Sequence, residues 1–516
     1  MRDLNELKKL LDISKTNFTK LTFEATVTTG FEQSALDECI EKFGKNVNVG
    51  KDRGRIFFNT KFDKYEKYKQ LRSVDHVNIL AGITSIPLTG DKDKDLLEIK
   101  NIANLFDWEK ALTVWQEVSN FKGIVYPTLE EYNYAAAFEG LKQIKINGNK
   151  DANDNIHKFK STDVHFKKTE LEKMLDSVAD LSDDETKNSQ ENNSCPIDKK
   201  VPRFRVTCNR VGDKHSFTSM EAAHIFGGRI QDKFNWLVNL SHYDIDVNLE
   251  IIHNDAYIGI SLNLESNHRR NIQFFGPTTL RATICYNLLR LCDPKPGDII
   301  VDPLCGVGSI PIEGSKAYSN AFNVGGEIHD KGVEKTKNNI NALENSNLKI
   351  DSIQWDATHL PLRTNSVDIF VTDLPFGKRI GSKSNNKLLY RRVLNEMARV
   401  MRVGMGRSVF LTHDQNSFSM AFQVTKPFWK QRKYLLVNIG GLRAACYLLE
   451  RTEEPYFLKL SKREMKWIAR KEWEKKKKEM ELGEGLLIFK IIKQLLMFIL
   501  LAAFRFIEIA LLLIKL

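Results

Sequence analysis

The first part of the chain mixes alternating and helical patterns of apolar residues. Residues 21–29 (LTFEATVTT) alternate apolar and polar side chains and are rich in β-branched residues, which is typical of a half-buried strand. A glycine interrupts this pattern, and residues 31–44 (FEQSALDECIEKFG) have helical spacing. A further strand is predicted at 55–59 (RIFFN). Together these patterns predict a module of strands and helices over residues 21–147, after a variable N-terminus at 1–20.

A polar segment separates this module from the next. Residues 148–200 have an acidic centre that contains Asn and Ser (DLSDDETKNSQENNS), and we interpret them as a flexible insert without chemistry of its own. Apolar patterning resumes at Val201 with a basic strand (FRVTCNR), a helix (HSFTSMEAAHIFGGRIQDKF) and two more strands. These elements define a second module over residues 201–267, and an amphipathic linker helix follows within 268–297.

From Asp298 the pattern changes to strands that alternate with helices. The predicted strands are IIVDPL, NVGGE, SIQWD, DIFVTDLPF, SVFLTH, YLLVNI and RAACYLLE. Alternation of this kind is typical of a parallel sheet covered by helices, and the closely spaced last strands are expected to be antiparallel. The sequence therefore predicts an α/β domain over residues 298–452.

The C-terminal segment, residues 453–516, is basic at first and then apolar. Residues 453–481 are predicted to form a helix whose positive charge is either solvated or in contact with nucleic acid. The longest uncharged apolar run, 495–504, is too short for the roughly 20 residues of a membrane span. Three interpretations stay open: a divergent terminus, a helix in contact with a membrane surface, and a true span. The charges within 486–516, which fall on one side of a helix, are Lys490, Lys493, Arg505, Glu508 and Lys515.

Composition narrows the class of protein. The chain has 516 residues, enough for about three domains, and its 42% hydrophobic and 28% charged residues exclude a wholly disordered protein. A net charge of +11 favours a polyanionic partner or an acidic membrane surface. Seven cysteines without a Cys-x-x-Cys pair argue against a disulfide framework and a zinc knuckle, and no metal site is expected. Reduced thiols, and a charged start without the apolar core of a secretory signal, predict a cytoplasmic protein, with a nuclear location also open.

The sharpest motif is IIVDPLCGVG at 299–308, a strand that ends in a glycine-rich turn. Gly306 and Gly308 lack a Cβ where a ligand must approach the backbone. A dinucleotide fingerprint needs a small residue where this chain has Pro311, and no Gly-Lys-Ser/Thr sequence is present for a phosphate-binding loop. We therefore predict that the turn binds S-adenosylmethionine, which has no pyrophosphate.

Four acidic residues, Asp302, Glu327, Asp356 and Asp373, each end a predicted strand. Ligands of open α/β sheets bind outside the carboxyl ends of the strands, so these side chains are expected to converge. Glu327 is suited to accept both ribose hydroxyls of the cofactor, and Asp356 to accept its adenine amino group. The alternative for each is a helix cap or a turn, the commoner role of a lone aspartate at a strand end.

The sequence Asp373-Leu374-Pro375-Phe376 indicates the reaction. An exocyclic amine on a base is a weak nucleophile because its lone pair is delocalised into the ring. The Asp373 carboxylate and the Leu374 carbonyl can accept the amine hydrogens, and Pro375 stiffens the turn. Phe376 offers a face for stacking on the base, which is worth roughly 1–3 kcal/mol. This predicts methylation of an amine on a nucleobase.

Three segments, DPLCGVGSIPIE, TDLPFGKR and FRVTCNRVGDKHSFTSMEAA with FGGRIQDKF, resemble the THUMP-domain-containing tRNA guanine-N2 methyltransferases. The resemblance covers about residues 21–450 without the insert. It implies a Rossmann-like class I methyltransferase domain, preceded by an α+β region with a ferredoxin-like module at 21–147 and an RNA-binding THUMP domain at 201–267. The implied activity places a methyl group on guanosine N2 in tRNA, at position 6 of the acceptor stem, while the THUMP domain grips the tRNA 3′ end.

The resemblance also implies roles for particular residues. Asp373, Leu374, Pro375 and Phe376 match the catalytic tetrapeptide, in which Asp373 and Leu374 hold the amine. Glu327 stands where the family usually has the shorter Asp, which keeps the carboxylate and shifts the ribose. Thr278 belongs to the segment FGPTTLR, which is expected to help close the cofactor site. The implied cofactor-binding residues are Asp302, Cys305, Gly306, Gly308, Glu327, Asp356 and Thr278.

The expected binding partners are inferred from the family resemblance, from the apolar tail and from the basic residues. The family implies tRNA and a small zinc-binding activator subunit, while the apolar tail suggests a membrane surface. Alternatives are an amine of another structured RNA, such as a small nuclear RNA, an adenine or cytosine amine, and a non-catalytic RNA-binding adaptor. The basic residues predicted to contact RNA are Arg203, Arg205, Arg210, Lys214, Arg269, Arg270, Lys378 and Arg379.

Overall fold

The computed structural model describes residues 4–17, 19–146, 200–343, 347–377 and 383–456, together with 470, 471, 473, 474 and 476. The chain divides into two compact units, residues 1–454 and 455–516, and the elements described below belong to the first. Lys378, Arg379, nearly all of the predicted insert and the apolar tail lie outside the described residues. Among the helices that are described, none has the length and apolar character needed to cross a bilayer.

The first half of the chain forms an eight-stranded sheet in the order β2-β3-β1-β4-β8-β7-β5-β6. Neighbouring strands are antiparallel except that β5 runs parallel to both β6 and β7. Helices are α1 Asn5–Thr16, α2 Glu32–Phe43, α3 Lys92–Ile102, α4 Trp108–Ser119, α5 Leu129–Ile146 and α6 Ser219–Phe234, with a 3-10 helix at Phe62–Gln70 and another at Asn267–Arg269. The strands are β1 Lys20–Thr26, β2 Asn48–Asp52, β3 Arg55–Lys61, β4 Val77–Ser85, β5 Arg203–Val211, β6 Leu237–Val238, β7 Ile245–Ile252 and β8 Asp255–Ser261.

One sheet therefore joins the two modules that the sequence analysis separates. The junction is the antiparallel pair β4·β8, and a buried polar cluster lies across it. Arg55 of β3 forms ion pairs with Glu24 of β1 at 2.8 Å and with Glu250 of β7 at 2.7 Å. The Tyr257 hydroxyl of β8 donates to Glu24 at 2.7 Å. These side chains fix the relative position of the two halves of the sheet.

The segment 1–20, which the sequence analysis treats as variable, contains the helix α1. Its apolar face consists of Leu7, Leu10 and Leu11, all of which are buried. Their spacing is that of an amphipathic helix, and the surrounding charged residues obscure it in the sequence. The helix packs on β1, β2 and β3.

The second half forms a seven-stranded sheet in the order β11-β10-β9-β12-β13-β15-β14. Strands β9 to β13 are parallel, and β15 is antiparallel to both β13 and β14, as the sequence predicts. The strands are β9 Ile299–Asp302, β10 Phe322–Glu327, β11 Ile350–Gln354, β12 Ile369–Asp373, β13 Arg407–Thr412, β14 Trp429–Ile439 and β15 Leu442–Arg451. Helices are α7 Ala282–Leu291, α8 Ser309–Ala317, α9 Asp330–Asn341, α10 Lys383–Val400 and α11 Gln415–Thr425, with a 3-10 helix at Lys426–Phe428. The predicted α/β class and its Rossmann-like order are confirmed.

The two halves are joined by a buried carboxylate on α8. Glu313, whose side chain is 1% exposed, accepts hydrogen bonds from Arg72 at 2.8 Å, Arg270 at 2.7 Å and Asn271 at 2.9 Å. Burial alone would raise the pKa of Glu313, but the charges of Arg270 and Arg72 outweigh burial and hold that pKa below its usual range. One apolar cluster also runs from the first sheet through Ile284 of α7 to Val371 of the second sheet.

Replacing Arg270 tests this junction. We expect Arg270→Met to lower the free energy of unfolding by about 3 kcal/mol near neutral pH, because Glu313 then keeps only part of its charge compensation. Since the folded-state pKa of Glu313 is lowered, the stability from its ionisation is present above its unfolded-state pKa and is lost as pH falls through the folded-state value. Urea unfolding should therefore show a smaller difference between wild type and variant in acid.

The matched control is Arg269→Met, since Arg269 is the exposed neighbour. It should leave the unfolding curve unchanged at both pH values. An equal loss in both variants would contradict a specific role for the Glu313 ion pairs.

Candidate active site

The strand order creates a crevice between β9 and β12. The chain moves outward from β9 through β10 to β11 on one side, and from β12 to β13 on the other. Ligands bind at such a switch point, outside the carboxyl ends of the strands. Asp302 ends β9, Glu327 ends β10 and Asp373 ends β12, while Asp356 lies just beyond β11. The acids that the sequence singles out therefore share one edge of the sheet, as predicted.

The glycine-rich turn connects β9 to α8 at this edge. Gly306 and Gly308 have φ values of +58° and +87°, in the left-handed region that favours glycine. A Cβ on Gly306 would meet no atom within 4 Å, so its backbone borders open space. A Cβ on Gly308 would lie 2.9 Å from Cγ2 of Thr336, so Gly308 permits close packing against α9. The two glycines thus have different surroundings, since Gly306 faces open space and Gly308 packs against α9.

Glu327 is fixed at the same turn. Its carboxylate accepts hydrogen bonds from the backbone N–H of Gly306 at 3.2 Å and of Ile328 and His329 at 2.9 Å each. Asp356 adopts the turn-forming role that the sequence analysis keeps as its alternative, because Oδ1 accepts from the N–H and hydroxyl of Thr358 at 2.8 Å. Both carboxylates are therefore held in defined positions at the mouth of the crevice.

Two other predicted cofactor residues, Cys305 and Thr278, differ in their exposure to solvent. The Cys305 thiol is buried, lies 3.8 Å from the Thr336 hydroxyl and would be 3.0 Å from a Cβ at Gly325. Its side chain therefore packs the turn against β10 rather than facing the crevice as a ligand contact. Thr278 is exposed on the segment that leads into α7.

Sequence reasoning missed Trp355, which contacts the glycine-rich turn after β9 and helps to hold it in place. Its indole N–H donates to the carbonyl of Pro303 at 3.1 Å, and the ring is buried. A Cβ on Gly326 would lie 1.7 Å from this ring, so the second glycine of NVGGE is required by contact with the indole. The paired glycines are the only signal in the sequence for this packing.

The electrostatics of the crevice centre on two carboxyl groups. Burial raises the pKa of Asp302 to about 7. Burial, and in second place the charge of Asp302, raise the pKa of Asp373 well above its usual range. Oδ1 of Asp373 is also buried without a hydrogen-bond partner among the described residues. Such an acceptor is costly unless a donor or a cation reaches it, so this site fits an amine substrate beside a sulfonium cofactor.

The tetrapeptide that follows Asp373 is held by hydrogen bonds. The Leu374 N–H donates to the carbonyl of Leu411 at 2.9 Å. The Pro375 carbonyl accepts from the Tyr390 hydroxyl at 2.5 Å and from Nδ2 of Asn386 at 3.0 Å. Tyr390 and Asn386 lie on α10, and sequence reasoning found neither, because polar residues four apart on an amphipathic helix carry no distinctive signal.

The described residues that are predicted to contact RNA are either bound to other side chains of the protein or exposed to solvent. Arg203 is paired with Asp244 at 3.0 Å and Arg205 with Asp246 at 2.7 Å. Arg210 donates to the Ser219 hydroxyl at 3.2 Å and lies over the ring of Phe217. Lys214 and Arg269 are exposed. For Arg270 the RNA prediction is corrected, since its guanidinium is already bound to Glu313 and to the Arg72 carbonyl.

The strand order, the turn and the acidic crevice define a class I methyltransferase. A family model described as the RMKL-like methyltransferase domain matches residues 269–445, and a THUMP domain model matches 168–261, beginning inside the segment interpreted as an insert. The structure of TrmN from Thermus thermophilus superposes with a TM-score of 0.58 over 84% of this chain and 99% of that one, at 20% identity, which concerns the fold alone.

Sequence comparison identifies the family. The tRNA (guanine(6)-N(2))-methyltransferase THUMP3 of Mus musculus is 40% identical over 468 residues, which cover 86% of this chain and 91% of that protein. The U6 snRNA (guanine-N(2))-methyltransferase THUMPD2 of Bos taurus is 25% identical over 76% of this chain and 79% of that protein. The chain belongs to the family of THUMP-domain guanine-N2 methyltransferases, and its cofactor is S-adenosylmethionine.

Cofactor binding should depend on the ionisation of Asp302. The pKa of Asp302 is raised to about 7, and a cationic ligand favours the ionised carboxylate, so affinity should increase as pH rises to and just above 7. Titration calorimetry near pH 6, in two buffers with different ionisation enthalpies, should detect proton release on binding. Asp302→Asn should reduce both the proton release and the affinity.

The control is Asp351→Asn, an exposed carboxylate on β11 that should behave like wild type. Wild-type binding without proton release would contradict the predicted ionisation.

The hydroxyl of Tyr390 should matter for turnover. Tyr390→Phe removes one of the two donors that fix the Pro375 carbonyl, so we expect kcat to fall about tenfold. The affinity for S-adenosylmethionine, measured by calorimetry, should stay within twofold. Tyr434→Phe removes a hydroxyl that bonds to Gln415 at the surface and should not change kcat. A Tyr390→Phe enzyme with wild-type kcat would show that this hydrogen bond does not position the loop.

Proposed function

We propose that the protein transfers a methyl group from S-adenosylmethionine to N2 of guanosine at position 6 of the tRNA acceptor stem. The observation that carries this proposal is the buried Oδ1 of Asp373, which has no hydrogen-bond partner in the described part of the chain and lies at the end of β12, the strand next to β9. The names of relatives that are 39–40% identical over more than four-fifths of the chain support the choice of nucleotide.

The residues of the crevice suit this chemistry. When bound, the cofactor supplies an electrophilic methyl group on a sulfonium. Asp373 accepts one N2 hydrogen and the Leu374 carbonyl accepts the other, which makes the nitrogen lone pair more available for bonding. Because the pKa of Asp373 is raised, its carboxylate can also take the proton that leaves nitrogen as the N–C bond forms. Glu327 and the backbone at Gly306 hold the cofactor, and Phe376 stacks on the guanine.

The eight-stranded sheet and its helices provide the surface for the tRNA in this proposal, with the THUMP domain on the 3′ end. Lys214 and Arg269 are the exposed members of the predicted basic set among the residues that the structure describes. Phosphate contacts from such residues give affinity and register without base specificity, so binding should weaken as salt is added.

We also propose that a small zinc-binding activator subunit pairs with the edge strand β11. Among the described residues, each end strand of the second sheet has one edge without a partner strand. The β14 edge is protected by Lys430, Lys433 and a bulge between Gln431 and Lys433. Strand β11 contains neither a lysine nor a bulge, and it exposes Ile353. The family resemblance supports the identity of the partner.

Two further proposals rest on the sequence pattern. The first is that the protein works in the cytoplasm, and also in the nucleus, which the reduced thiols support. The second is that the apolar segment 486–516 contacts a membrane surface, which the position of its charges on one side of a helix supports.

The decisive experiment incubates the purified protein with labelled cofactor and total small RNA, with and without the activator subunit, and maps the methylated nucleoside. Methylation of guanosine 6 in tRNA is expected. Methylation confined to a small nuclear RNA, or of adenine or cytosine, would overturn the proposed substrate.

Asp373→Asn should lower the rate of methylation by at least about a thousandfold, because the amide removes the negative charge and the proton acceptor. Cofactor affinity should remain within a few-fold in calorimetry, since the residues that bind the cofactor are intact. The control is Asp293→Asn, an exposed carboxylate between α7 and β9 that lies at the opposite end of β9 from the crevice, and it should methylate at the wild-type rate. Unchanged turnover in Asp373→Asn would remove this residue from the mechanism.

A further inference from the structure

Two consecutive phenylalanines lie exposed between the 3-10 helix Asn267–Arg269 and α7. Phe274 is 43% exposed and Phe275 is 45% exposed. Large apolar residues at adjacent positions are unusual on a soluble surface unless they meet a ligand or a partner. Phe275 begins the segment FGPTTLR, which is expected to help close the cofactor site, but no step described above uses the ring of Phe274 or Phe275.

The backbone that carries the two rings is held rigidly. Asn339 of α9 is 1% exposed, and its Oδ1 accepts from the N–H groups of Gln273 at 3.0 Å and Phe274 at 2.8 Å. Its Nδ2 donates to the Phe274 carbonyl at 3.1 Å. Lys335, one turn earlier on α9, donates from Nζ to the Phe275 carbonyl at 2.8 Å. A rigid backbone lowers the entropic cost of binding to the rings that it carries.

Asn339 also places Phe274 and Phe275 next to the glycine-rich turn at Gly306 and Gly308. Nδ2 of Asn339 also donates to the carbonyl of Val307, between the two glycines of the turn, at 3.0 Å. A Cβ on Gly276 would lie 3.0 Å from Cγ1 of Val307, so the segment packs directly on the turn. The exposed rings are therefore adjacent in sequence to a contact with the cofactor site.

A guanosine in an acceptor stem is paired and stacked, so its N2 cannot enter a crevice until the base leaves the helix. Breaking those stacks costs free energy, which aromatic side chains can offset by stacking on the exposed bases. Positive charge also lies close by, because Lys335 of α9 donates to the Phe275 carbonyl and the exposed Arg269 lies a few residues before Phe274. A nucleobase is therefore the ligand whose chemistry fits this surface best.

We propose that Phe274 and Phe275 form a stacking platform for an unstacked base of the RNA, next to the guanosine that enters the crevice. The inference rests on the proposed function and extends it, because it assigns residues outside the crevice to opening the RNA helix. Asn339 acts as a positioning residue that holds the platform to the cofactor turn.

The test measures RNA opening without methylation. A tRNA acceptor-stem substrate carries 2-aminopurine in place of the target guanosine, and the fluorescence increase on adding wild-type protein reports the unstacked base. The Phe274→Ala/Phe275→Ala variant should lose most of this increase and bind the RNA about tenfold more weakly for each ring removed. Its affinity for S-adenosylmethionine, measured by calorimetry, should stay within twofold.

Controls separate stacking from simple loss of apolar surface. Phe322→Ala removes an equally exposed ring, at 43%, from the start of β10, the opposite end of that strand from the crevice, and should behave like wild type. Phe274→Trp/Phe275→Trp should retain opening, whereas Phe274→Leu/Phe275→Leu, which keeps apolar bulk and folding, should not. An RNA whose target base is already unpaired should bind both proteins more tightly, because neither then opens the helix, and the alanine variant should still bind it more weakly than wild type does.

Two results would overturn the platform. One is an alanine or leucine variant that opens the RNA as wild type does. The other is a loss of cofactor affinity with RNA opening unchanged, which would mean that the rings cover the cofactor instead. Failure of the proposed function looks different, because wild-type protein itself would then leave the acceptor-stem base stacked.

Discussion

The site depends on two carboxyl groups, Asp302 and Asp373, buried at the ends of adjacent parallel strands. Burial opposes their ionisation, and the charge of Asp302 raises the pKa of Asp373 further. Such a pair does not stabilise the fold, because a buried carboxylate that lacks an ion-pair partner among the described residues destabilises a protein. The arrangement is instead suited to a ligand that brings positive charge and hydrogen-bond donors into the crevice. A sulfonium cofactor and an exocyclic amine together supply both.

The rest of the chain keeps this crevice in a fixed relation to the RNA-binding half. Glu313 binds arginines from the N-terminal half and from the linker, and it lies on the helix that follows the glycine-rich turn. Asn339 bonds to the linker and to the turn from the other side. Both are buried polar residues whose hydrogen bonds span segments distant in sequence. The linker is thus packed against the catalytic domain, and the backbone of its exposed phenylalanines is hydrogen-bonded to that domain.

The sequence indicates the candidate residues of the crevice more completely than it indicates the residues that hold them in place. The strand ends, the glycine turn and the tetrapeptide are local patterns, and residues such as Asp302 and Asp373 meet because parallel strands share a carboxyl edge. Tyr390 and Trp355 were not predicted, since their roles depend on contacts with distant residues. Arg270 shows the same limit, because a basic residue before the catalytic domain is equally suited to bind RNA or to pair with a buried Glu313 that the sequence does not reveal. The assignment of individual residues to cofactor, catalysis and RNA remains a set of predictions.

The most direct measurement is a crystal structure of the protein with the demethylated cofactor and an RNA acceptor stem that contains the target guanosine. We predict that the guanine lies outside the helix, with N2 about 3 Å from Oδ1 of Asp373. A guanine whose N2 is held by other groups, with the Asp373 carboxylate still unpaired, would contradict this account.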